Sequence, residues 1–144
     1  MPYATIADLT ESFGESEATR LTAPEGDLDG PVVEAKVTRA LTDATDLIDS
    51  YLARRYAVPL VAPIPPAIVR ACAVLARYQL AHGEQREPTE QMRLERKDTI
   101  AWLERLAEGS AVLPGAVPAA GSSGAGAMVS DRPRDFARDA LRGW

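Results

Sequence analysis

Residues 31–56 carry apolar side chains at spacings of three and four positions, which is the pattern of a long amphipathic helix. Charged and small polar side chains fall mostly on the opposite face. The acidic turn before this segment, with Pro31 behind it, predicts a helix capped by Asp29 or Gly30 with Pro31 in its first position. The apolar stripe consists of Val33, Val37, Ala40, Leu41, Ala44, Leu47, Ile48, Tyr51 and Leu52.

The second helical pattern, PAIVRACAVLARYQL, is apolar on nearly its whole circumference. Only Arg70 and Arg77 interrupt it before Gln79. A helix of this kind must be covered on nearly every side. In a chain of 144 residues, we therefore expect part of the cover to come from another subunit.

Further elements complete the pattern. Residues 57–66, AVPLVAPIPP, form a proline crossing that favours an extended path and fixes the spacing of the two helices. A third long helix is predicted from Glu90 to Glu108, capped by Thr89 and stopped by Gly109. Short helices are predicted over residues 6–13, capped by Thr5, and from Ser16 onward. The sequence thus predicts an all-α fold: a small bundle of three longer helices plus short N-terminal helices.

The composition changes after Gly109. Residues 110–130 are rich in Gly, Ala, Ser and Pro with almost no charge, so they are expected to act as a linker after a helical domain spanning 1–109. Residues 131–144 combine aromatic and apolar side chains at helical spacing with alternating Arg and Asp. Because Trp, Phe and Arg are common interface hot spots, this segment is predicted to be a docking peptide at the end of a flexible arm.

The net charge, the cysteine count and the lack of catalytic motifs restrict the possible functions. The net charge of −5 argues against a general nucleic-acid binder. The single cysteine, Cys72, excludes an internal disulfide and is expected to be a small buried hydrophobe. No nucleotide-binding, metalloprotease or nucleophile motif occurs, so no catalytic residue, metal or cofactor is predicted. The N-terminus lacks the basic start of a signal peptide, and no run approaches the roughly 18 apolar residues of a membrane span.

Two alternatives stay open at this point. A DNA-binding regulator with a helix-turn-helix would use Arg70 and Arg77 on one face, although the proline crossing is longer than the turn of that motif. A hydrolase would use the acidic loop at Glu25, Asp27 and Asp29. Whether residues 25–30 bind an ion is also open, because the spacing does not match a calcium loop of the EF-hand kind.

Several stretches together resemble the head–tail connector proteins of Mu-like bacteriophages and related prophages. The resemblance rests on MPYATIADLTESFGE, DLDG, LIDSYLARRYAVPL, PPAIVRACAVLARYQL and RPRDFARDALRGW, which occur in this order over most of the chain. Between Gly109 and Ser130 the similarity is one of composition alone. These motifs describe a structure rather than a catalytic centre.

The resemblance implies an α-helical adaptor in the neck of a virion, made in the cytoplasm of the host bacterium. Such subunits form a ring, typically dodecameric, beneath the portal protein and above a stopper or tail-completion protein. DNA would pass through the ring without specific binding, which suits an acidic chain.

The same resemblance assigns roles to residues. The C-terminal extension of related adaptors docks on the portal, so the implied portal contacts are Arg134, Phe136, Arg138, Leu141 and Trp144. Arg54, Arg55 and Tyr56 would lie at the end of the ring-building helix. The apolar surplus on the second helix, at Ala71, Val74 and Tyr78, becomes the predicted boundary between subunits.

Overall fold

The computed structural model describes residues 1–24, 30–82 and 87–121. In these ranges the chain forms a bundle of five helices and has no β-strand. Tyr56 and Pro118 form an isolated antiparallel bridge. The all-α prediction, with three longer helices and short N-terminal ones, is confirmed. The helices are α1 (Ile6–Phe13), α2 (Glu15–Thr22), α3 (Glu34–Leu52), α4 (Pro66–Ala81) and α5 (Glu90–Glu108).

The predicted helix ends depend on local capping and are mostly confirmed. Thr5 and Asp8 form a reciprocal capping box at the start of α1, in which the Asp8 carboxylate accepts from both the hydroxyl and the amide of Thr5. These hydrogen bonds lower the pKa of Asp8. Thr89 caps α5 by accepting from the Met92 amide. Gly109 ends α5 with a φ of 92°, in the left-handed region that favours glycine.

The predicted start of α3 is wrong. The helix begins at Glu34 with Val33 as its N-cap, rather than at Pro31 behind Asp29 or Gly30. The reason lies in α2, because the Thr22 hydroxyl accepts from the Val33 amide at 3.1 Å and so holds the chain just outside the helix. The helix also ends at Leu52 rather than near Tyr56. The amides of Arg55 and Tyr56 both donate to Leu52 in a closing turn, and the Ala57 amide then donates to Val117.

The central helix is α4, which packs against each of the other four. Its buried residues extend around most of its circumference, as a helix with so few polar positions requires. The cover comes from α1, α2, α3 and α5 of the same chain. Six of the nine residues of the predicted stripe are buried along α3, and Thr45, only 6% exposed, joins them. Leu47 and Tyr51 are partly buried against this core, whereas Val33 is the N-cap and lies outside it. In the described ranges, no helix has both the length and the apolar composition needed to cross a membrane.

Candidate functional site

Most of the irregular backbone in the described ranges lies at one end of the bundle. The C-termini of α3 and α5 meet there with residues 53–65, which connect α3 to α4, and with residues 110–121. We refer to this region as the crossing end. Two X–Pro bonds in the connection, Val58–Pro59 and Ala62–Pro63, are cis. A chain without regular hydrogen bonding must satisfy its amides in other ways, and at this end tyrosine hydroxyls do so.

Tyr3 ties the N-terminus to the connection between α3 and α4. Its hydroxyl accepts from the Leu60 amide at 2.8 Å and donates to the Asp49 carboxylate of α3. Its own amide donates to the Thr45 hydroxyl at 3.0 Å. The side chain is 5% exposed, and burial, together with the hydrogen bond to Asp49, raises the pKa of Tyr3 to about 12. One residue thus joins three segments that are distant in sequence.

Tyr56 performs the corresponding task for residues 110–121. Its hydroxyl accepts from the Leu113 amide at 3.0 Å, and Leu113 itself is 2% exposed. Beside it, Ala57 donates to Val117 at 2.8 Å and Ala119 donates to Arg55 at 2.9 Å. The first part of the predicted linker therefore lies against the helical body, which extends beyond the boundary expected at Gly109. As a division into functional segments, that boundary stays a prediction.

Arg55 lies at the junction of α3 and α5. Its guanidinium packs so closely on Gly109 that a Cβ at this position would overlap it. The positive φ of Gly109 favours glycine, and any Cβ there would displace the Arg55 guanidinium. A positive charge beside the C-terminus of α5 also interacts favourably with the helix dipole. Of the three residues predicted at the end of the ring helix, Arg54 is exposed, Arg55 is half-buried and Tyr56 is buried.

Several apolar side chains at the crossing end face solvent. Val61 is 80% exposed, Val112 73% and Val117 61%. They belong to the connection between α3 and α4 and to residues 110–121, the two segments that meet around Tyr56. Exposed valines on neighbouring segments are more typical of a contact surface than isolated apolar residues are.

The predicted subunit boundary lies in a different environment. Ala71 is 5% exposed and Val74 6%, so both are largely covered within the chain. They form the floor of a shallow groove between α4 and α5, beside Trp102. Tyr78 is half-buried, with the Arg96 guanidinium 4.9 Å from its ring centre. Their contact with a second subunit stays a prediction, although the apolar surplus that suggested it is mostly covered by the chain's own helices.

Arg77 forms a partly buried charged cluster toward the other end of α4. Its guanidinium lies 2.5 Å from Glu17 of α2 and 2.9 Å from Glu95 of α5, and 4.3 Å from the ring centre of Phe13. The Arg77 side chain is 11% exposed. Because two carboxylates neutralise it, it is not available to phosphates, and the helix-turn-helix alternative loses half of the pair that motivated it.

The other candidate side chains are Cys72, the possible metal ligands, the acidic loop and the predicted portal contacts. The expectation that Cys72 is buried is confirmed, and burial raises the pKa of its thiol. Within residues 1–24, 30–82 and 87–121, no group of three His, Cys, Asp or Glu side chains could hold a metal ion. The acidic loop, with Glu25, Asp27 and Asp29, lies outside the described residues. So do all five predicted portal contacts, Arg134, Phe136, Arg138, Leu141 and Trp144.

Sequence reasoning missed the hydroxyl groups that organise the structure. Tyr3 precedes the first helix and has no periodic partner, Thr22 belongs to a short helix for which no face was predicted, and Thr45 lies on a face that was judged by its apolar neighbours. The Thr22 hydroxyl donates to Ala18, and that of Thr45 donates to Leu41. The available signal was a threonine within a largely apolar helical face, which indicates a hydroxyl that needs a local acceptor.

The comparisons with known proteins agree on one family. Residues 3–130 match the family model described as Bacteriophage Mu, Gp36. "Gene product J" of Escherichia phage Mu is 37% identical over 109 residues, which cover 76% of this chain and 74% of that protein. "Mu-like prophage FluMu protein gp36" of Haemophilus influenzae (strain ATCC 51907 / DSM 11121 / KW20 / Rd) is 46% identical over 77 residues, covering 54% of this chain and 52% of that protein.

Proposed function

Because this chain belongs to the Bacteriophage Mu, Gp36 family of Mu-like phage proteins, we propose that it is a head–tail connector of the virion neck. In this role it is a structural protein without enzymatic activity. Its subunits form a ring, dodecameric by analogy with related adaptors, between the portal protein and a stopper or tail-completion protein. The ring surrounds the channel through which DNA leaves, and the net charge of −5 favours free passage of the phosphates.

The observation that carries the proposal is the attachment of residues 113–119 to the crossing end. The Tyr56 hydroxyl and the pairing of residues 55–57 with 117–119 hold the chain on the body at one defined place. A docking peptide that starts from a fixed point searches a limited volume, so its effective concentration at a nearby partner is high. That is the arrangement a connector needs if its C-terminal segment holds the portal.

The exposed valines support a second contact at the same end. Val61, Val112 and Val117 offer apolar area next to the base of the arm, and Arg54 adds an exposed positive charge. An adaptor that is held by an arm and by the surface around its base combines two weak contacts into a stronger one. In this proposal Arg55 and Tyr56 act indirectly, by shaping that surface.

Removal of residues 131–144 tests the docking role. The variant should fold normally, because it retains the five helices and the residues 113–119 that pair with them, but it should fail to join portal-bearing heads to tails. The measurement is the fraction of tailed particles, counted by electron microscopy after complementation of a phage that lacks this protein. Circular dichroism of the purified variant checks that its helices are retained.

A matched control changes the linker and spares the segment. Full-length protein with Ser122→Ala and Ser123→Ala should support tail joining at the normal level, whereas Phe136→Ala combined with Trp144→Ala should reproduce the deletion. Heads that acquire tails normally with the deletion variant would refute the docking role. Native mass spectrometry with and without portal protein tests the ring separately, and the absence of any oligomer on the portal would contradict it.

A further inference from the structure

The groove between α4 and α5 has a volume of about 270 Å³. This is below the roughly 300–1,000 Å³ typical of small-molecule sites, so it suits a protruding side chain rather than a whole ligand. Its floor is apolar and its borders carry one charge of each sign. The side chains that matter are Ala67, Ala71 and Val74 on the floor, Trp102 at one side, and Arg70 and Asp98 at the borders.

The two border charges are available for a partner. Arg70 and Asp98 are exposed, and neither makes an ion pair or side-chain hydrogen bond with another described residue. An occupant that fits therefore presents an acid to Arg70, a base to Asp98 and an apolar side chain between them. A peptide with this alternation gains both charge pairing and apolar contact.

We propose that this groove receives the chain's own C-terminal segment, residues 131–144, within the same subunit. That segment carries the required alternation, because Phe136 lies beside Asp135 and is followed by Arg138 and Asp139. An aromatic anchor flanked by both charges matches the apolar floor and the two borders.

The geometry of the bundle brings the groove within reach. Contacts of Arg77 with Glu95 and of the groove residues with Trp102 make α4 and α5 antiparallel, so the groove lies toward the crossing end. The Ala119 amide donates to Arg55 at the same end, so the base of the arm and the groove lie at one end of the bundle. A flexible Gly/Ser-rich linker of ten residues, the length of the stretch 122–131, would reach about 16–19 Å on average.

In the isolated subunit the segment is then bound in the groove before it meets any other partner. A partner that binds the same residues must then displace them from Ala71 and Val74, which lowers its apparent affinity. This inference goes beyond the proposed portal contact, since it concerns the isolated subunit and holds whether or not the segment later docks on another protein.

Disulfide trapping in the full-length protein tests the inference. Thr99 also lines the groove, and Ala137 follows Phe136, so cysteines at these two positions leave all the charges in place. The Thr99→Cys/Ala137→Cys variant should form an intramolecular disulfide about tenfold faster than the control Glu104→Cys/Ala137→Cys, because docking raises the local concentration of residue 137. Glu104 is exposed on the same helix, outside the groove and nearer to the base of the arm. Tethering without docking would therefore favour the control. Buried Cys72 stays in place as a thiol.

The rate should be independent of protein concentration, which identifies the reaction as intramolecular. Adding Arg70→Glu to the trapping variant should reduce its rate to that of the control. Equal rates for the two pairs, crosslinked dimers alone, or a fast rate that persists with Arg70→Glu would each overturn the proposal. The assay uses no portal protein, so its failure and a failure of tail joining are separate results.

Discussion

The two ends of α4 are held by different chemistry. Toward its C-terminus, Arg77 bridges two other helices through the carboxylates of Glu17 and Glu95. At the crossing end, neutral hydroxyls of Tyr3 and Tyr56 accept from the backbone amides of Leu60 and Leu113. Helices satisfy their own amides, so contacts between them are free to use side-chain charges. Irregular segments leave amides open, and a buried amide requires an acceptor.

The charged end should be the more sensitive to loss of a single side chain. Arg77→Ala leaves two partly buried carboxylates without their counter-charge, and we expect the free energy of unfolding to fall by about 3 kcal/mol. The measurement is urea denaturation followed by circular dichroism. Arg93→Ala is the matched control, because Arg93 pairs with Glu87 and Glu90 at the surface.

The Arg93→Ala control should cost less than about 0.5 kcal/mol, since exposed ion pairs contribute little. Equal losses for the two variants would mean that the Arg77 cluster behaves as a surface pair. In that case the contrast between the two ends of α4 would disappear.

At the crossing end, Tyr3→Phe removes one acceptor and one donor at once. The Leu60 amide and the Asp49 carboxylate lose their partner, so we expect a loss of about 2 kcal/mol in the free energy of unfolding at neutral pH. Tyr51→Phe serves as the control, because the Tyr51 hydroxyl makes no hydrogen bond with the described residues. A similar loss in both variants would contradict the role given to Tyr3.

The same contact predicts a dependence on alkaline pH. The pKa of Tyr3 is about 12 in the folded chain and about 10 when unfolded, so its contribution is complete below pH 10 and is lost as the pH rises through 12. The two-unit difference corresponds to at most about 2–3 kcal/mol. The stability difference between the natural chain and Tyr3→Phe should shrink over this window, and a constant difference would exclude the linkage.

The smallest effect is expected for Tyr56→Phe. It removes the acceptor of the Leu113 amide and should cost about 1 kcal/mol. Hydrogen exchange is the sharper measurement, because the Leu113 amide should exchange faster while the amide of Leu75 in α4 keeps its protection. An unchanged rate at Leu113 would show that residues 110–121 are held by other contacts.

Much of the fold could be predicted because its signals are local. The capping box at Thr5, the cap at Thr89 and the stop at Gly109 involve residues a few positions apart. The apolar stripe of α3 also follows from spacing alone. The start of α3 was missed because its determinant, the Thr22 hydroxyl, lies 11 residues before Val33. No local pattern records a contact of that kind.

The candidate site was less predictable. Arg54, Arg55 and Tyr56 were selected as one unit, yet the structure gives them three different exposures. Ala71 and Val74 were expected to need a neighbouring subunit, and the chain's own helices cover most of them. Periodicity identifies the residues that need burial, but it does not identify the residues that cover them.

The amino-acid sequence alone determined the helical class, the number of long helices and the acidic, motif-poor character that favours a structural role. Only the tertiary structure decided how residues 110–121 pack on the body, which carboxylates compensate the charge of Arg77 and which hydroxyls accept from the open amides. The physical reason is the range of the interactions. Helix formation and capping act within one or two turns, whereas Tyr3 meets Leu60 and Tyr56 meets Leu113 across 57 residues each.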